Sequence, residues 1–323
     1  MKDIAAGVDI GGTNTWIGLI GPSGIVYHRE CIKTNDFSNF EDFIGAICLS
    51  VNESLKYLKE DYHLRGIGVG APNGNYYNGC IEFAVNLPWK GIQPLTALMQ
   101  RHFDLPVILT NDANAAAMGE MIFGAARDMK DFIMITLGTG LGSGIVIDGK
   151  VVYGHDGNAG ELGHVIVDPG GRICGCGRRG CLETFASATG IRRTVLQLME
   201  SSAEKSLLRN LPADQLDSKM IYEAAKLQDI IALQAFDITC SILGKSLANA
   251  VAFSSPEAII LFGGLAHATE FLFGPTKKYM EESLLEVYKN KVNILPSQLP
   301  ESDAALLGAA ALVWEQSPDH ITK

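Results

Sequence analysis

No run of lysine or arginine in this 323-residue sequence is long enough to grip a nucleic-acid backbone or a membrane surface. Acidic residues outnumber basic ones 36 to 26, and a net charge of −10 would repel a duplex, so no nucleic-acid partner is expected. No apolar stretch is expected to reach the roughly 18 residues a membrane span requires, and no membrane partner is expected. The start, Met1-Lys2-Asp3, lacks a signal peptide's basic opening and apolar core, which makes the expected location cytoplasmic. Charged residues are sparse, 19% against 47% hydrophobic, a balance that excludes disorder and describes an ordinary globular chain. The length suffices for two lobes with cores of their own.

Cysteine is also scarce, seven in all, and the number is odd. Three crowd together as Cys174, Cys176 and Cys181, which favours a metal over disulfides. Cys31, Cys48, Cys80 and Cys240 sit in apolar or mixed surroundings and read as buried small hydrophobes.

What is present is a succession of apolar runs and glycine-rich turns. Residues 4–9 read as a strand, followed by Gly11-Gly12-Thr13, a strand at 15–20, the turn Gly21-Pro22-Ser23-Gly24 and a strand at 25–33. Helical spacing covers 40–58, short strands are expected at 66–70 and 106–110, and an alanine-rich helix at 113–125. A second strand–turn–strand begins at Phe132, turns through residues 138–144, and returns at 145–147. An approximate duplication is the simplest account of the two. Residues 258–262 read as a buried strand ending in Gly263-Gly264, residues 201–219 as a loop or lid, and 303–314 as a helix with Ser302 as N-cap.

Both glycine turns follow strands, as phosphate-binding loops do: missing side chains let backbone N–H groups approach an anion, and Thr13 or Thr139 adds a hydroxyl. A plain β-hairpin whose glycines supply positive φ would look the same. The run Gly138, Gly140, Gly142, Gly144 is not a dinucleotide fingerprint, and Gly244-Lys245-Ser246 lacks the leading glycine of a P-loop. Two such loops suggest a clamp on nucleotide phosphates, with Mg²⁺ held by Asp9. In Asn111-Asp112-Ala113-Asn114, at a strand end and helix start, Asp112 could accept a proton from an attacking hydroxyl while Asn111 orients the substrate. Helix capping is the competing role for the same residues. His164 with Cys174, Cys176 and Cys181 matches a closed tetrahedral zinc site, which is structural and would pin a loop carrying Glu161, His164 and Glu183. Glu183 could equally be an ordinary helix-start carboxylate.

Taken together these residues resemble the bacterial ROK family (repressors, open reading frames and kinases), in particular its glucokinase-like members. The resemblance covers nearly the whole chain. It runs through the start at Asp9, Asn86-Leu87-Pro88-Trp89, Asn111-Asp112-Ala113-Asn114, the turn from Leu137, Gly160-Glu161-Leu162-Gly163-His164, and the Cys-x-Cys-Gly-x-x-Gly-Cys-x-Glu run from Cys174 to Glu183. It implies a two-lobed, actin-like ATPase fold of the ribonuclease H-like class, α/β, with a structural zinc knuckle. The expected lobes are 1–115 plus 303–323, closed by a returning C-terminal helix, and 116–302, bearing the zinc. The implied reaction is transfer of the γ-phosphoryl of ATP to the 6-hydroxyl of a hexose, with Asp112 as base. Asn86, Asn111, Glu161, His164 and Glu183 are the implied sugar contacts. Asp9, Gly11, Gly12, Thr13, Gly138, Thr139, Gly140, Gly263 and Gly264 are the implied ATP contacts. Family members are commonly dimers or tetramers. The chain departs from many family kinases at Thr110, Asn73 and Ala84-Val85, positions that bear on which hexose is taken: glucose leads, ahead of N-acetylmannosamine, N-acetylglucosamine, mannose, fructose or allose.

A sugar-sensing ROK repressor is the alternative of a different class, but its helix-turn-helix would precede the first glycine loop, which here starts at residue 9. A chaperone-like ATPase would leave the knuckle and its acidic neighbours without a purpose.

Overall fold

The computed structural model describes residues 2–58 and 62–316; residue 1, residues 59–61 and residues 317–323 of the expected first lobe lie outside it. In chain order the strands are β1 (Lys2–Ile10), β2 (Asn14–Ile20), β3 (Val26–Lys33), β4 (Tyr62–Gly70), β5 (Ile81–Glu82), β6 (Ile92–Gln93), β7 (Val107–Thr110), β8 (Phe132–Leu137), β9 (Leu141–Ile147), β10 (Lys150–Val151), β11 (Ala258–Phe262) and β12 (Asn293–Pro296). The helices are α1 (Phe40–Tyr57), α2 (Leu95–Met99), α3 (Asp112–Phe123), α4 (Ala188–Ser201), α5 (Ser218–Lys226), α6 (Ile230–Ser254), α7 (Thr269–Ser283) and α8 (Ala304–Glu315).

Two five-stranded sheets have the same plan, β3-β2-β1-β4-β7 and β10-β9-β8-β11-β12. In each, the second and third strands pair antiparallel, and the first strand continues into two parallel neighbours. The two strand–turn–strand units of the sequence thus head a repeated topology.

The chain forms two compact units, one of Met1–Met129, Gly144–Ala159 and Gln298–Lys323, the other of Lys130–Ser143 and Gly160–Ser297. The expected border at 115/116 would have cut α3; the helix instead belongs whole to the first unit, because it packs along α8.

In the first unit, alternation along β1 sends Ile4, Val8 and Ile10 into a core with Phe43, Ile47 and Val51 of α1. The opposite face takes α8, whose residues from Leu306 to Trp314 are all buried, as expected of a helix apolar all round. A Cβ at Gly68 would lie 1.8 Å from the Ala309 carbonyl oxygen, so this strand position must be glycine for the helix to seat. Helix α8 begins one residue later than read, at Ala304. Ser302 is not the cap; Asp303 stands there without a side-chain cap bond, since its carboxylate accepts from Arg29 at 2.8 Å.

In the second unit, β8 and β11 pack against α4, α5, α6 and α7 around Ile135, Leu261, Phe236, Leu243 and Leu247. Helix α6, at 25 residues, is long and apolar enough by composition to cross a membrane, against the expectation of no such stretch. It is a core helix: Ile231, Phe236, Leu243 and Leu247 are buried, and its Asp237 accepts from the Tyr279 hydroxyl at 2.6 Å. The cysteine expectation also needs amending. Cys48 and Cys240 are buried, but Cys80 is half-buried and Cys31 exposed, because β3 alternates and turns Cys31 outward.

Candidate active site

Each unit carries part of the expected set. In the first, Asp9 is the next-to-last residue of β1, with register partners Trp16 on β2 and Gly70 on β4. Having no side chain, Gly70 lets the start of α3 come against it, with the Asp112 Cα 3.8 Å from where a Cβ would stand. Asp9 and Asp112 therefore meet although more than a hundred residues separate them. Burial, and behind it the charge of Asp112, pushes the Asp9 pKa up to about 7. Desolvation raises that of Asp112 as well, partly offset by the Ala113 N–H, which donates to its Oδ1 at 2.8 Å. Asp112 nonetheless remains exposed to solvent.

Capping, the competing role for this motif, falls to Asn111. Its Oδ1 accepts from Ala113 N at 2.8 Å and Asn114 N at 3.2 Å, leaving its amide to donate and Asp112 as the first helical residue. Neither Asp9 nor Asp112 has a cation partner among the described residues. Two neighbouring carboxylates without a counter-charge are a donor set that fits a hard divalent cation.

The loop after β1 is held by a residue that sequence reasoning missed. Buried Thr34 donates to the Gly11 carbonyl at 2.8 Å, and its N–H donates to the Thr13 carbonyl at 2.9 Å. β1 and β2 form a hairpin here, but Gly11 and Gly12 are not at positive φ, so the turn does not need glycine for its backbone conformation. Gly12 is needed for close approach: a Cβ there would stand 2.6 Å from the Asn86 carbonyl oxygen, which puts Asn86 beside the loop. Asn73 has φ +53, a left-handed conformation that asparagine tolerates.

In the second unit, the β8–β9 turn carries Gly138, Thr139 and Gly140, and Gly263 backs onto the Leu137 backbone, with Gly264 next in line. Buried Ser143 ties this hairpin to the segment bearing Glu161: its hydroxyl donates to the Gly160 carbonyl and accepts from Leu162 N at 3.1 Å. The only signal for Ser143 in the sequence is its hydroxyl, one of two among the alternating glycines. Glu183 sits in a short 3-10 turn, Leu182–Thr184. Its Oε1 accepts from Cys174 Sγ at 2.9 Å, and its Oε2 lies 2.6 Å from where a Cβ on Gly140 would be. Glu183 thus touches both the cysteine cluster and the second glycine loop.

The ligand atoms of His164, Cys174, Cys176 and Cys181 all lie within 4.8 Å of one another. The Cys176 and Cys181 sulfurs are 3.7 Å apart, and Cys174 Sγ is 3.6 Å from His164 Nδ1. A tetrahedral ion with bonds of ~2.3 Å to sulfur sets its ligands about 3.8 Å apart, so the cluster fits zinc in donor type and spacing. With Nδ1 on the cysteine side, His164 Nε2 is left for another partner.

The duplicated sheet with a glycine loop after the first strand of each half defines the actin-like ATPase class. The chain belongs to the ROK family, which it matches over residues 5–316. It is 35% identical to the glucokinase of Thermotoga maritima, over 96% of this chain and 97% of that protein. It resembles the crystal structure of a ROK family glucokinase from Streptomyces griseus in complex with glucose and AMPPNP, with a TM-score of 0.79 and 34% identity over 96% of this chain and 98% of that one. It is also 29% identical to the xylose repressor of Caldicellulosiruptor bescii, over 97% of this chain and 79% of the repressor.

Proposed function

We propose that this protein is an ATP-dependent hexokinase that phosphorylates the 6-hydroxyl of glucose. Asp112 carries the reading: a carboxylate at the first turn of α3, without a cation partner among the described residues and with a raised pKa. A more basic carboxylate is a better proton acceptor. As the sugar oxygen bonds to the γ-phosphorus, its proton passes to Asp112; the bond from phosphorus to the β–γ bridging oxygen breaks, and ADP leaves with that electron pair.

The Asn111 amide, Asn86, Glu161, His164 Nε2 and Glu183 would hold the other sugar hydroxyls. Gly11, Gly12, Thr13, Gly138, Thr139 and Gly140 would take the phosphates through backbone N–H and threonine hydroxyl groups, with Gly263-Gly264 toward the adenosine. Asp9 would hold Mg²⁺, which when bound neutralises phosphate charge. His164, Cys174, Cys176 and Cys181 would hold zinc, which when bound fastens the loop that bears the sugar contacts. ATP as a substrate and reduced cysteines suit the cytoplasm.

A coupled ADP-release assay with Mg-ATP across glucose, mannose, fructose, allose and the two N-acetylhexosamines tests this, with the strongest turnover expected on glucose. Sugar binding without turnover would favour a sensor, the reading that the likeness to a xylose repressor supports. Neither binding nor turnover would refute both.

A further inference from the structure

Arg172 precedes Cys174 by two residues and is buried, yet no carboxylate lies within ion-pair reach of it among the described residues. The charge that acts on it from nearby is another cation, Arg193. Burying an unpaired charge costs several kcal/mol, and an apolar side chain would fill the same space at less cost. What an apolar side chain could not supply is the set of five N–H donors.

All five are used, each on a neutral acceptor. Nε and Nη2 both donate to Gln197 Oε1, at 3.1 and 2.6 Å, and Nη2 also donates to Thr194 Oγ1 at 2.9 Å. Nη1 donates to the carbonyls of Thr184 at 2.6 Å and Gly190 at 3.0 Å. The guanidinium also lies over the Phe185 ring, 4.5 Å from its centroid. Thr184 and Phe185 directly follow Glu183. One side chain therefore joins the segment leading into Cys174 to the turn carrying Glu183, across which Cys174 Sγ and Glu183 Oε1 stand 2.9 Å apart.

We propose that Arg172 is a positioning residue for the sugar: its five-way grip sets the place of the Glu183 carboxylate relative to the cysteine cluster and to Gly140. The proposal rests on the kinase reading above. It separates sugar binding from the rest of the machinery, because Arg172 makes no hydrogen bond to either glycine loop or to Asp112.

Steady-state kinetics of the full chain with Mg-ATP test it on Arg172→Gln, Arg172→Lys and Gln197→Ala. Loss of a hydrogen-bonded charged group's placement corresponds to roughly a tenfold weakening. For Arg172→Gln the KM for glucose should rise about tenfold, while kcat and the KM for ATP stay within about threefold. Arg172→Lys, which keeps the charge but not the fork, should recover only part of the loss. Gln197 is exposed, so Gln197→Ala spares the core; it should raise the glucose KM by a smaller factor and decides the matter if Arg172→Gln does not fold. An unmoved glucose KM in the folded variants, or a fall in kcat and ATP affinity in step with it, overturns the proposal. Wild-type protein without sugar turnover overturns the kinase reading, and Arg172's part in it; turnover with unmoved variants overturns Arg172's part alone.

Discussion

Asp9 near the end of β1 and Asp112 at the start of α3 are neighbouring carboxylates, and burial, with the charge of Asp112 behind it, lifts the Asp9 pKa to about 7. Both carboxylates belong to the first unit, and neither has a cation among the described residues to offset the other. The pair is costly for folding, and it is the carboxylate set proposed above to meet Mg-ATP.

Replacing Asp112 with Asn keeps the shape and the Asn111 cap but removes the proton acceptor. Turnover should fall by about a hundred- to ten-thousand-fold, with glucose affinity by calorimetry little changed. Unchanged kcat would remove Asp112 from the role of base.

The Asp9 shift gives a pH signature. Between its unfolded pKa near 4 and its folded value of about 7, the native state holds a proton that the unfolded chain has lost. The Asp9 contribution to stability is therefore full in acid and is lost as the pH rises through about 7. Asp9→Asn removes that dependence. Its Tm should exceed wild type at about pH 8, and the gap should close toward about pH 4. Mg²⁺ should stabilise the wild type and not the variant.

If the cysteine cluster holds zinc as proposed, chelation should lower Tm and glucose affinity together, since the residues that would take the metal neighbour Glu183. Full glucose affinity in a protein shown by elemental analysis to be metal-free would separate the cluster from sugar binding.

Gly140→Ala places a methyl group 2.6 Å from Glu183 Oε2, and the carboxylate must move. A substitution in the loop proposed to hold phosphate should then act on the other substrate, raising the glucose KM roughly tenfold and the ATP KM less. A larger effect on ATP would mean that the loop backbone moved instead.

Gly68→Ala sets a methyl group against the Ala309 backbone of a buried helix that cannot retreat. Destabilisation should reach at least the top of the ~1–3 kcal/mol range of overpacked cores, read from urea unfolding.

Much of this protein is written in short stretches of its chain. Alternating apolar residues and flanking glycines announced the two hairpins, and Cys174, Cys176 and Cys181 with His164 announced a cluster of metal-type ligand groups, because ligand spacing in a tight loop is a local matter. Asp112 could be named as a candidate base for the same reason, since it stands at a helix start in its own tetrapeptide. Local pattern could not say which residue there caps the helix; the structure gives that place to the Asn111 side chain, whose Oδ1 accepts from Ala113 N and Asn114 N, with Asp112 as the first helical residue. Nor could it show that Gly70 seats α3 beside Asp9, that Glu183 touches both Cys174 and Gly140, or that Arg172 spends five donors around Glu183. Those relations join residues distant in sequence, and strand register and helix packing decide them. Chain order alone says which groups are available and which turns present them; which of them meet follows from the packed fold, because a charge or a hydrogen bond acts over a few ångströms of space whatever the separation along the chain.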